Sequence, residues 1–290
     1  MKNGCIFLIS ARKNLLKTCL SCLDKNYNFK FNYPVLIFYH GKKYDDESFR
    51  KSIESINPNT KYSFHKLDAK IPEHLTEKDM FWNLPNNKYA KQFEKKREGY
   101  LHANYFWNNF MNLKELKDFD YLIRIDDDSW FKNPICFDFF EELDKANCYF
   151  GTGFTWNHYA DNHLQTRHNL FIWINDYVNR YDVNVKNKQL KESLNGEINN
   201  SLFHTLDWNL GNLNIYNIKM FKTDEWKQYN YDFNKLAGGY RYRWGDIEVI
   251  GLFAYIHLDN PLLNFDLKKK GLYDVKLPNT KCIHDTDLRI

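Results

Sequence analysis

Short apolar runs alternate with helical patterns over the first 70 residues. The apolar run 5–9 predicts a buried strand, and the apolar positions of 15–23 recur at a helical period. A second buried strand is predicted at 33–39, between Pro34 and Gly41. A helix over 46–55 and a short strand over 62–67 continue the alternation. Strands joined by helices close most readily as right-handed crossovers with parallel pairing, so we predict an α/β sheet of the nucleotide-binding kind.

The middle of the chain contains a predicted helix with an aromatic face and a predicted strand that is followed by acidic residues. Residues 71–96 are rich in Pro, Asn and charge and predict a long surface excursion that covers a site. Residues 97–110 are predicted to be a helix with one broad aromatic stripe, made of Tyr100, Ala103, Phe106, Trp107 and Phe110. Residues 120–125 predict a strand that ends at Asp126, and the polar stretch 181–200 predicts a mobile loop. No repeat or linker divides the chain, which we interpret as one domain over 1–290.

Composition excludes some partners. The 41 basic and 37 acidic residues leave a net charge of +4 with no basic tract, which argues against nucleic acid. No run approaches the about 20 apolar residues of a membrane span, and the start does not resemble a secretory signal. We therefore expect a soluble chain. Aromatic residues make up 18%, which suits both a core and the stacking of sugars or bases. The Cys19-x-x-Cys22 pair has no second pair, which favours structural thiols over metal or redox use.

The run Asp126-Asp127-Asp128 is the first candidate site. Ligands of open α/β sheets bind beyond the carboxyl ends of strands, where this run lies. Carboxylates about 5 Å apart repel by about 3 kcal/mol at an effective dielectric near 20, so a cation would relieve a real cost. Oxygen-only ligands select hard ions such as Mn²⁺ or Mg²⁺, which also hold diphosphate oxygens. The alternative is a solvated turn in which one Asp caps the next helix.

Two further motifs add candidates. In the segment 237–248, the pair Gly238-Gly239 permits close backbone approach, Trp244 can stack on a sugar, and Asp246 can serve as a base. The alternative for this segment is a glycine turn leading into a helix that Asp246 caps. His284 lies beside Asp285 and is a candidate metal ligand, although a lone terminal histidine is more often inert.

These motifs resemble the fungal Golgi α-1,2-mannosyltransferases, a retaining family that uses GDP-mannose. The resemblance spans nearly the whole chain. Residues 29–34 resemble the sequence before the family's second strand, and 120–128 resemble its strand, arginine and acidic metal motif. The most specific similarity lies in 221–226 followed by 238–246, and His284 stands where the family has a metal-binding histidine.

The resemblance implies an α/β fold of the GT-A type, with a mixed central sheet flanked by helices. It implies GDP-mannose as donor, manganese as cofactor (magnesium as the alternative), retention at the anomeric carbon and a glycan or glycoprotein acceptor. Residues 1–135 would then form the nucleotide-sugar-binding half and 136–290 the acceptor half. The site residues assigned on this basis are Asp126, Asp128 and His284 for the metal; Arg124, Asp126, Asp127 and Tyr100 for the donor; Trp244, Tyr240 and Glu248 for the acceptor; and Asn214, Asp246 and Asp207 for catalysis.

Three departures from the family shape the mechanism. The metal motif is Asp126-Asp127-Asp128 instead of Glu-Pro-acid, Asn214 stands where the family has a glutamate proposed as nucleophile, and the family's membrane anchor is missing. The missing anchor allows a cytoplasmic, viral or partner-held enzyme. Because an amide is a poor nucleophile, we favour front-face transfer, in which Asn214 orients the sugar and the departing diphosphate helps to deprotonate the acceptor. Asp207 or Asp246 could support a covalent route instead.

Other functions remain as alternatives. The donor could be another nucleotide sugar such as a UDP-sugar, or the protein could be a silent relative that only binds carbohydrate. A metal phosphodiesterase would need further His or Asp ligands around a second metal. His158, His163 and His168 recur every five residues, which places them on one face of neither a helix nor a strand.

Overall fold

A computed structural model describes residues 2–83, 97–156, 164–196, 206, 208–209, 212–245 and 247–274. The strands are β1 (Gly4–Ser10), β2 (Val35–Tyr39), β3 (Tyr62–Lys66), β4 (Tyr121–Ile125), β5 (Trp130–Phe131), β6 (Phe150–Thr152), β7 (Thr155–Trp156), β8 (Trp208–Asn209), β9 (Leu213–Asn217), β10 (Leu263–Asn264) and β11 (Tyr273–Asp274). The helices are α1 (Lys13–Leu23), α2 (Glu47–Glu54), α3 (Arg97–Asn109), α4 (Phe139–Lys145), α5 (Leu164–Arg180), α6 (Lys188–Leu194), α7 (Asp224–Leu236), α8 (Gly238–Tyr242) and α9 (Leu252–His257).

Seven strands form one mixed sheet in the order β10-β6-β9-β4-β1-β2-β3. Strands β3, β2, β1 and β4 are parallel to one another, as the strand–helix–strand pattern predicts. Strand β9 runs antiparallel between β4 and β6, and β10 is parallel to β6. Because β9 pairs directly with β4, strands from both halves of the chain build a single sheet. The predicted mixed α/β sheet flanked by helices is confirmed.

Side chains alternate between the two faces of this sheet, as the period of a strand requires. One face carries Phe7, Phe38 and Leu122 and packs against the aromatic stripe of α3. The other face carries Ile6, Ile37 and Ile123 and packs against α1 and α4. Every residue of β2 and β4 is buried, which explains why these strands are nearly continuous apolar runs.

Two predicted loops are more ordered than the sequence indicates. The described part of the 71–96 excursion buries Met80, Phe81 and Trp82 against Ala237 and Tyr240, so a purely surface excursion is wrong there. The mobile loop predicted over 181–200 is wrong for 188–194, which is α6. Asn187 caps α6 by accepting a hydrogen bond from the Leu190 amide at 2.8 Å, and the Leu190 side chain is fully buried.

The stripe of α3 is also only partly as predicted. Phe106 and Trp107 are buried, but Tyr100 is half-buried. Polar His102 and Asn104 are buried in this helix instead. The helix therefore presents aromatic rings to the sheet and polar groups to the neighbouring segments. In the residues that the structure describes, no helix has the length and apolar character needed to cross a membrane.

Candidate active site

The acidic run follows β4 directly, at the carboxyl edge of the parallel strands, as predicted. The β1 strand pairs with β4 in parallel, so Ser10 and Arg12, which end and follow β1, reach the same edge. Ser10 donates a hydrogen bond to Oδ2 of Asp127 at 2.6 Å, and Arg12 donates from Nη1 to Oδ2 of Asp128 at 3.0 Å. Arg12 also donates from Nη2 to Oδ1 of Asp127. One arginine thus binds two adjacent carboxylates.

A second arginine binds the first carboxylate of the run. Arg124 lies within β4 and donates to Oδ1 of Asp126 at 2.8 Å, while Asn212 donates to Oδ2 at 3.0 Å. The Arg124 guanidinium is 4.7 Å from the centre of the Trp107 ring, which covers it. Two guanidinium groups therefore face three carboxylates. If all are ionised, one formal negative charge remains at this edge of the sheet.

The three carboxylates differ in how far they face solvent. The side chains of Asp127 and Asp128 are each 2% exposed, whereas that of Asp126 is 30% exposed. The two oxygens of Asp127 accept hydrogen bonds from Ser10, at the end of β1, and from Arg12, which immediately precedes α1. The solvated turn considered as the alternative is therefore wrong. Asp127 has an internal structural contact here, so the structure gives no support to its predicted contact with the donor.

Electrostatics hold Arg12 in its charged form. Burial alone would lower the pKa of Arg12, but attraction to Asp127, with smaller contributions from Asp128 and Asp126, raises the pKa above its ordinary value. Burial, followed by repulsion from the carboxylates of the same run, also raises the thiol pKa of Cys19, because both disfavour the negatively charged thiolate. Cys19 is fully buried in α1 and donates from Sγ to the Asp126 carbonyl oxygen at 3.4 Å. This agrees with a structural thiol.

Asn214 lies in the row of residues that contains Arg124. The β4–β9 register pairs Arg124 with Asn214, and the β6–β9 register pairs Asn214 with Thr152. Asn214 and Thr152 are both fully buried, and Arg124 is 7% exposed. A polar row thus crosses three neighbouring strands next to the acidic run. The structure brings Asn214 beside Arg124, as a shared site requires.

The residues predicted to bind the acceptor are buried or half-buried. Trp244 and Tyr240 are each 1% exposed, so neither ring presents a face to a sugar in this structure. Trp244 packs over Gly238, where an added Cβ would lie 1.9 Å from its ring. Glu248 is half-buried and accepts a hydrogen bond from the Gly245 amide at 2.9 Å, which is a helix-capping contact. The expectation that Trp244 stacks on a sugar is corrected to a packing role.

A cation–π contact lies next to this segment. The Arg243 guanidinium lies 5.2 Å from the centre of the Tyr100 ring, and both side chains are half-buried. Arg243 has a left-handed backbone with φ of 62°. Asp207, Asp246 and His284, which complete the predicted catalytic and metal sets, lie outside the described residues.

The carboxylate oxygens of the acidic run are ligands of the type that a hard divalent cation prefers. The run offers carboxylate oxygens alone, and Asp126 has a solvent-facing side chain. Among the residues that the structure describes, no three His, Cys, Asp or Glu side chains gather as a complete metal site. Asp126 and Asp128 would hold the ion, with a further ligand from outside the described ranges.

Three residues that organise this site were not among those that the sequence pattern indicated: Ser10, Arg12 and Asn212. A usable signal existed for Ser10 and Arg12, since polar residues follow β1 immediately and parallel neighbours end at one edge. Asn212 has no comparable signal. Its carbonyl oxygen accepts from the Asp126 amide at 2.9 Å, a contact that depends on the antiparallel β9.

Comparisons with known proteins identify the family. A profile of the glycolipid 2-alpha-mannosyltransferase family matches residues 1–289. No curated protein sequence matches the chain. Among solved structures, the mannosyltransferase Ktr4p from S. cerevisiae in complex with GDP is similar at a TM-score of 0.74 and 18% identity, over 89% of this chain and 67% of that one. Core-mannan synthase A from Aspergillus fumigatus, in a Mn/GDP form, is similar at a TM-score of 0.74 and 16% identity, over 94% of this chain and 74% of that one.

The match over nearly the whole chain, and a sheet whose carboxyl edge gathers the acidic run with Arg12 and Arg124, lead to one conclusion. This chain belongs to the glycolipid 2-alpha-mannosyltransferase family and has its GT-A-type glycosyltransferase fold.

Proposed function

We propose that this protein transfers mannose from GDP-mannose to a sugar hydroxyl of a glycan or glycoprotein, with retention and with the help of Mn²⁺. The observation that carries the proposal is the acidic run at the carboxyl edge of β4, which two arginines hold and from which Asp126 faces solvent. The similar structures of Ktr4p in complex with GDP and of core-mannan synthase A in a Mn/GDP form support the choice of donor and ion.

The chain's own residues would divide the work at this edge. Asp126 and Asp128 would hold Mn²⁺, which supplies positive charge that stabilises the departing diphosphate. Arg12 and Arg124 keep the carboxylates of the run in place through charge-assisted hydrogen bonds. Because Arg12 already binds Asp127 and Asp128, the run is preorganised before the donor arrives.

Asn214 supports transfer without a covalent sugar intermediate at this position. An amide can donate and accept hydrogen bonds, so Asn214 can orient the sugar, but it is a poor nucleophile. Its place beside Arg124 in the β4–β9 register fits an orienting role. We therefore retain front-face transfer, in which the departing diphosphate helps to take the proton of the acceptor hydroxyl.

The direct test is transfer from GDP-mannose to mannose or a mannoside acceptor, with and without Mn²⁺. We expect product only with metal, and Asp126→Asn is expected to lower kcat/KM about a hundredfold because it removes a charged oxygen ligand. Asp259→Asn is the matched control, since this aspartate is 83% exposed and pairs with Lys186. Mass spectrometry of a reaction without acceptor should detect no hexose bound to the protein.

Three outcomes would contradict this proposal. Turnover of UDP-sugars in preference to GDP-mannose would reject the donor. Absence of both transfer and donor hydrolysis, with metal present and the protein folded, would favour a silent carbohydrate-binding relative. A hexose adduct on the wild-type protein would replace front-face transfer with a covalent route.

A further inference from the structure

A groove opens between the end of α3 and one side of α7, away from the acidic run. Its volume is about 590 Å³, within the range of pockets that bind small molecules. Asn108 lines it from the last turn of α3, Asn112 from the turn that follows α3, and Asn230 and Tyr231 from α7. Every residue that lines it lies in the described part of the chain.

The groove and the acidic run lie at opposite edges of the sheet. Ile218 lines the groove, and its amide donates to the carbonyl oxygen of Asp120, which precedes β4. The acidic run follows β4. Asp126 lies six residue steps of extended chain after Asp120, which corresponds to about 20 Å. A ligand in the groove therefore does not occupy the proposed donor site.

The charge of the groove is positive. Lys117, Lys222 and Lys227 line it and are exposed, and no lining residue is acidic. Lys227 pairs with Asp224 at 2.7 Å, an aspartate that is 94% exposed and outside the lining. Within the described ranges, Lys117 and Lys222 have no ion-pair partner. Two ammonium groups are thus available to a ligand that carries negative charge.

The remaining lining suits a sugar ring. Four asparagines line the groove, and each amide offers donors and an acceptor to hydroxyl groups. Trp107 and Trp226 form part of an apolar floor, and the ring of Tyr231 is 62% exposed at the rim. The exposed Tyr231 ring beside amides presents both surfaces that a saccharide needs, because the ring carbons of a sugar are apolar and its rim is polar.

One buried acceptor points to a ligand with a donor group. Asn234 donates from Nδ2 to the Asn108 carbonyl oxygen at 3.1 Å, whereas its Oδ1 is buried and has no hydrogen-bond partner in the described part of the chain. A buried amide oxygen without a donor is costly, and a ligand hydroxyl would satisfy it.

We propose that this groove binds a saccharide that carries a phosphate or carboxylate group, as a second site separate from the donor site. The ammonium groups of Lys117 and Lys222 contact the anion, and the asparagines and Tyr231 contact the ring and its hydroxyls. The proposal does not rest on the proposed function, because it concerns binding alone.

The test is calorimetric titration of the full chain with mannose 6-phosphate, glucuronic acid, mannose and inorganic phosphate. We expect at least one charged sugar to bind at least tenfold more tightly than mannose and than phosphate, and the two charged sugars distinguish phosphate from carboxylate. Lys117→Gln with Lys222→Gln should remove this tenfold advantage. Lys17→Gln with Lys269→Gln is the control, because both lysines are exposed and neither lines the groove.

Two further measurements separate the alternatives. Tyr231→Ala should weaken binding of the charged sugar severalfold and leave phosphate binding unchanged, and saturating GDP should displace no charged sugar. Equal binding of mannose and the charged sugars, equal binding of phosphate and the charged sugars, or displacement of the charged sugar by GDP would each overturn the proposal. So would the absence of binding by a folded protein.

Discussion

At the residue scale, Arg12 determines how three adjacent aspartates coexist. Carboxylates about 5 Å apart repel by about 3 kcal/mol at an effective dielectric near 20. Arg12 offsets this repulsion by binding Asp127 and Asp128 together, and Ser10 binds the other oxygen of Asp127. Because both aspartates are almost fully buried, solvent cannot replace the arginine.

Arg12→Met should therefore lower the free energy of unfolding by about 2 kcal/mol, since it leaves two buried carboxylates without their shared cation. The expected loss is smaller than for a fully buried ion pair, because the Arg12 side chain is 34% exposed and solvent screens part of the interaction. Urea denaturation measures the change. Arg97→Met serves as control, since Arg97 is 58% exposed and lies 3.8 Å from Glu77, and should change stability by less than about 0.5 kcal/mol. Equal effects of the two substitutions would contradict this role of Arg12.

At the element scale, the segment 237–244 is a short helix that Trp244 holds from one side. The helix α8 lies between two left-handed residues, Ala237 and Arg243, with φ of 56° and 62°. Non-glycine residues adopt this conformation at a cost that surrounding contacts must offset. Those contacts include the Trp244 ring over Gly238 and a hydrogen bond from Asn104 to the Gly239 carbonyl oxygen at 2.8 Å.

Gly238→Ala should destabilise the protein by about 2–3 kcal/mol, because the new Cβ would lie 1.9 Å from a Trp244 ring that is itself buried. Gly99→Ala in α3 is the control, and it should stabilise the protein instead. Nothing lies within 4 Å of a Cβ at Gly99, and alanine favours the helix by about 0.5–1 kcal/mol. Thermal unfolding distinguishes them. If both variants shift the melting temperature alike, the contact with Trp244 is not what requires glycine at 238.

At the scale of the whole molecule, two histidines are kept neutral within the fold. Burial, reinforced by repulsion from His40, lowers the pKa of His102 to about 3 against a hydrogen bond to the Tyr39 backbone that acts the other way. Burial lowers the pKa of His257 to about 4, opposed by Glu225. Histidine in the unfolded chain titrates near 6.5. At pH values between the folded pKa and 6.5, the unfolded state binds more protons than the folded state. The contribution of these two histidines to the free energy of unfolding is therefore complete above pH 6.5 and is lost as the pH falls.

The free energy of unfolding should therefore decrease between pH 7 and pH 5, with a limiting slope of about 1.4 kcal/mol per pH unit for each histidine. Carboxylates titrate mainly below this window. Chemical denaturation of the wild type and of His102→Asn with His257→Gln measures the slope, which the double substitution should flatten whatever its own stability. His74→Asn is the control at an exposed position and should preserve the slope. An unchanged slope in the double variant would rule out these two histidines as its cause.

Sequence periodicity predicted the strands and helices whose conformation depends on residues nearby in the chain. Strands β1 to β4 and helices α1 to α3 follow from apolar patterns within about ten residues, because burial of one face imposes the period of the element. The place of the acidic run at the end of β4 follows from the same local pattern. Alternation of strand and helix, with parallel pairing, then predicted the class of sheet.

Only the tertiary structure decided which groups surround the acidic run and what the segment 237–248 does. Ser10 meets Asp127 across 117 residues of chain and Asn212 meets Asp126 across 86, distances over which no sequence period extends. The same holds for Trp244, whose type suggested a sugar platform but whose 1% exposure follows from packing against Gly238. Local patterns determine the conformation of an element, whereas burial and hydrogen-bond partners depend on which elements the complete fold brings together.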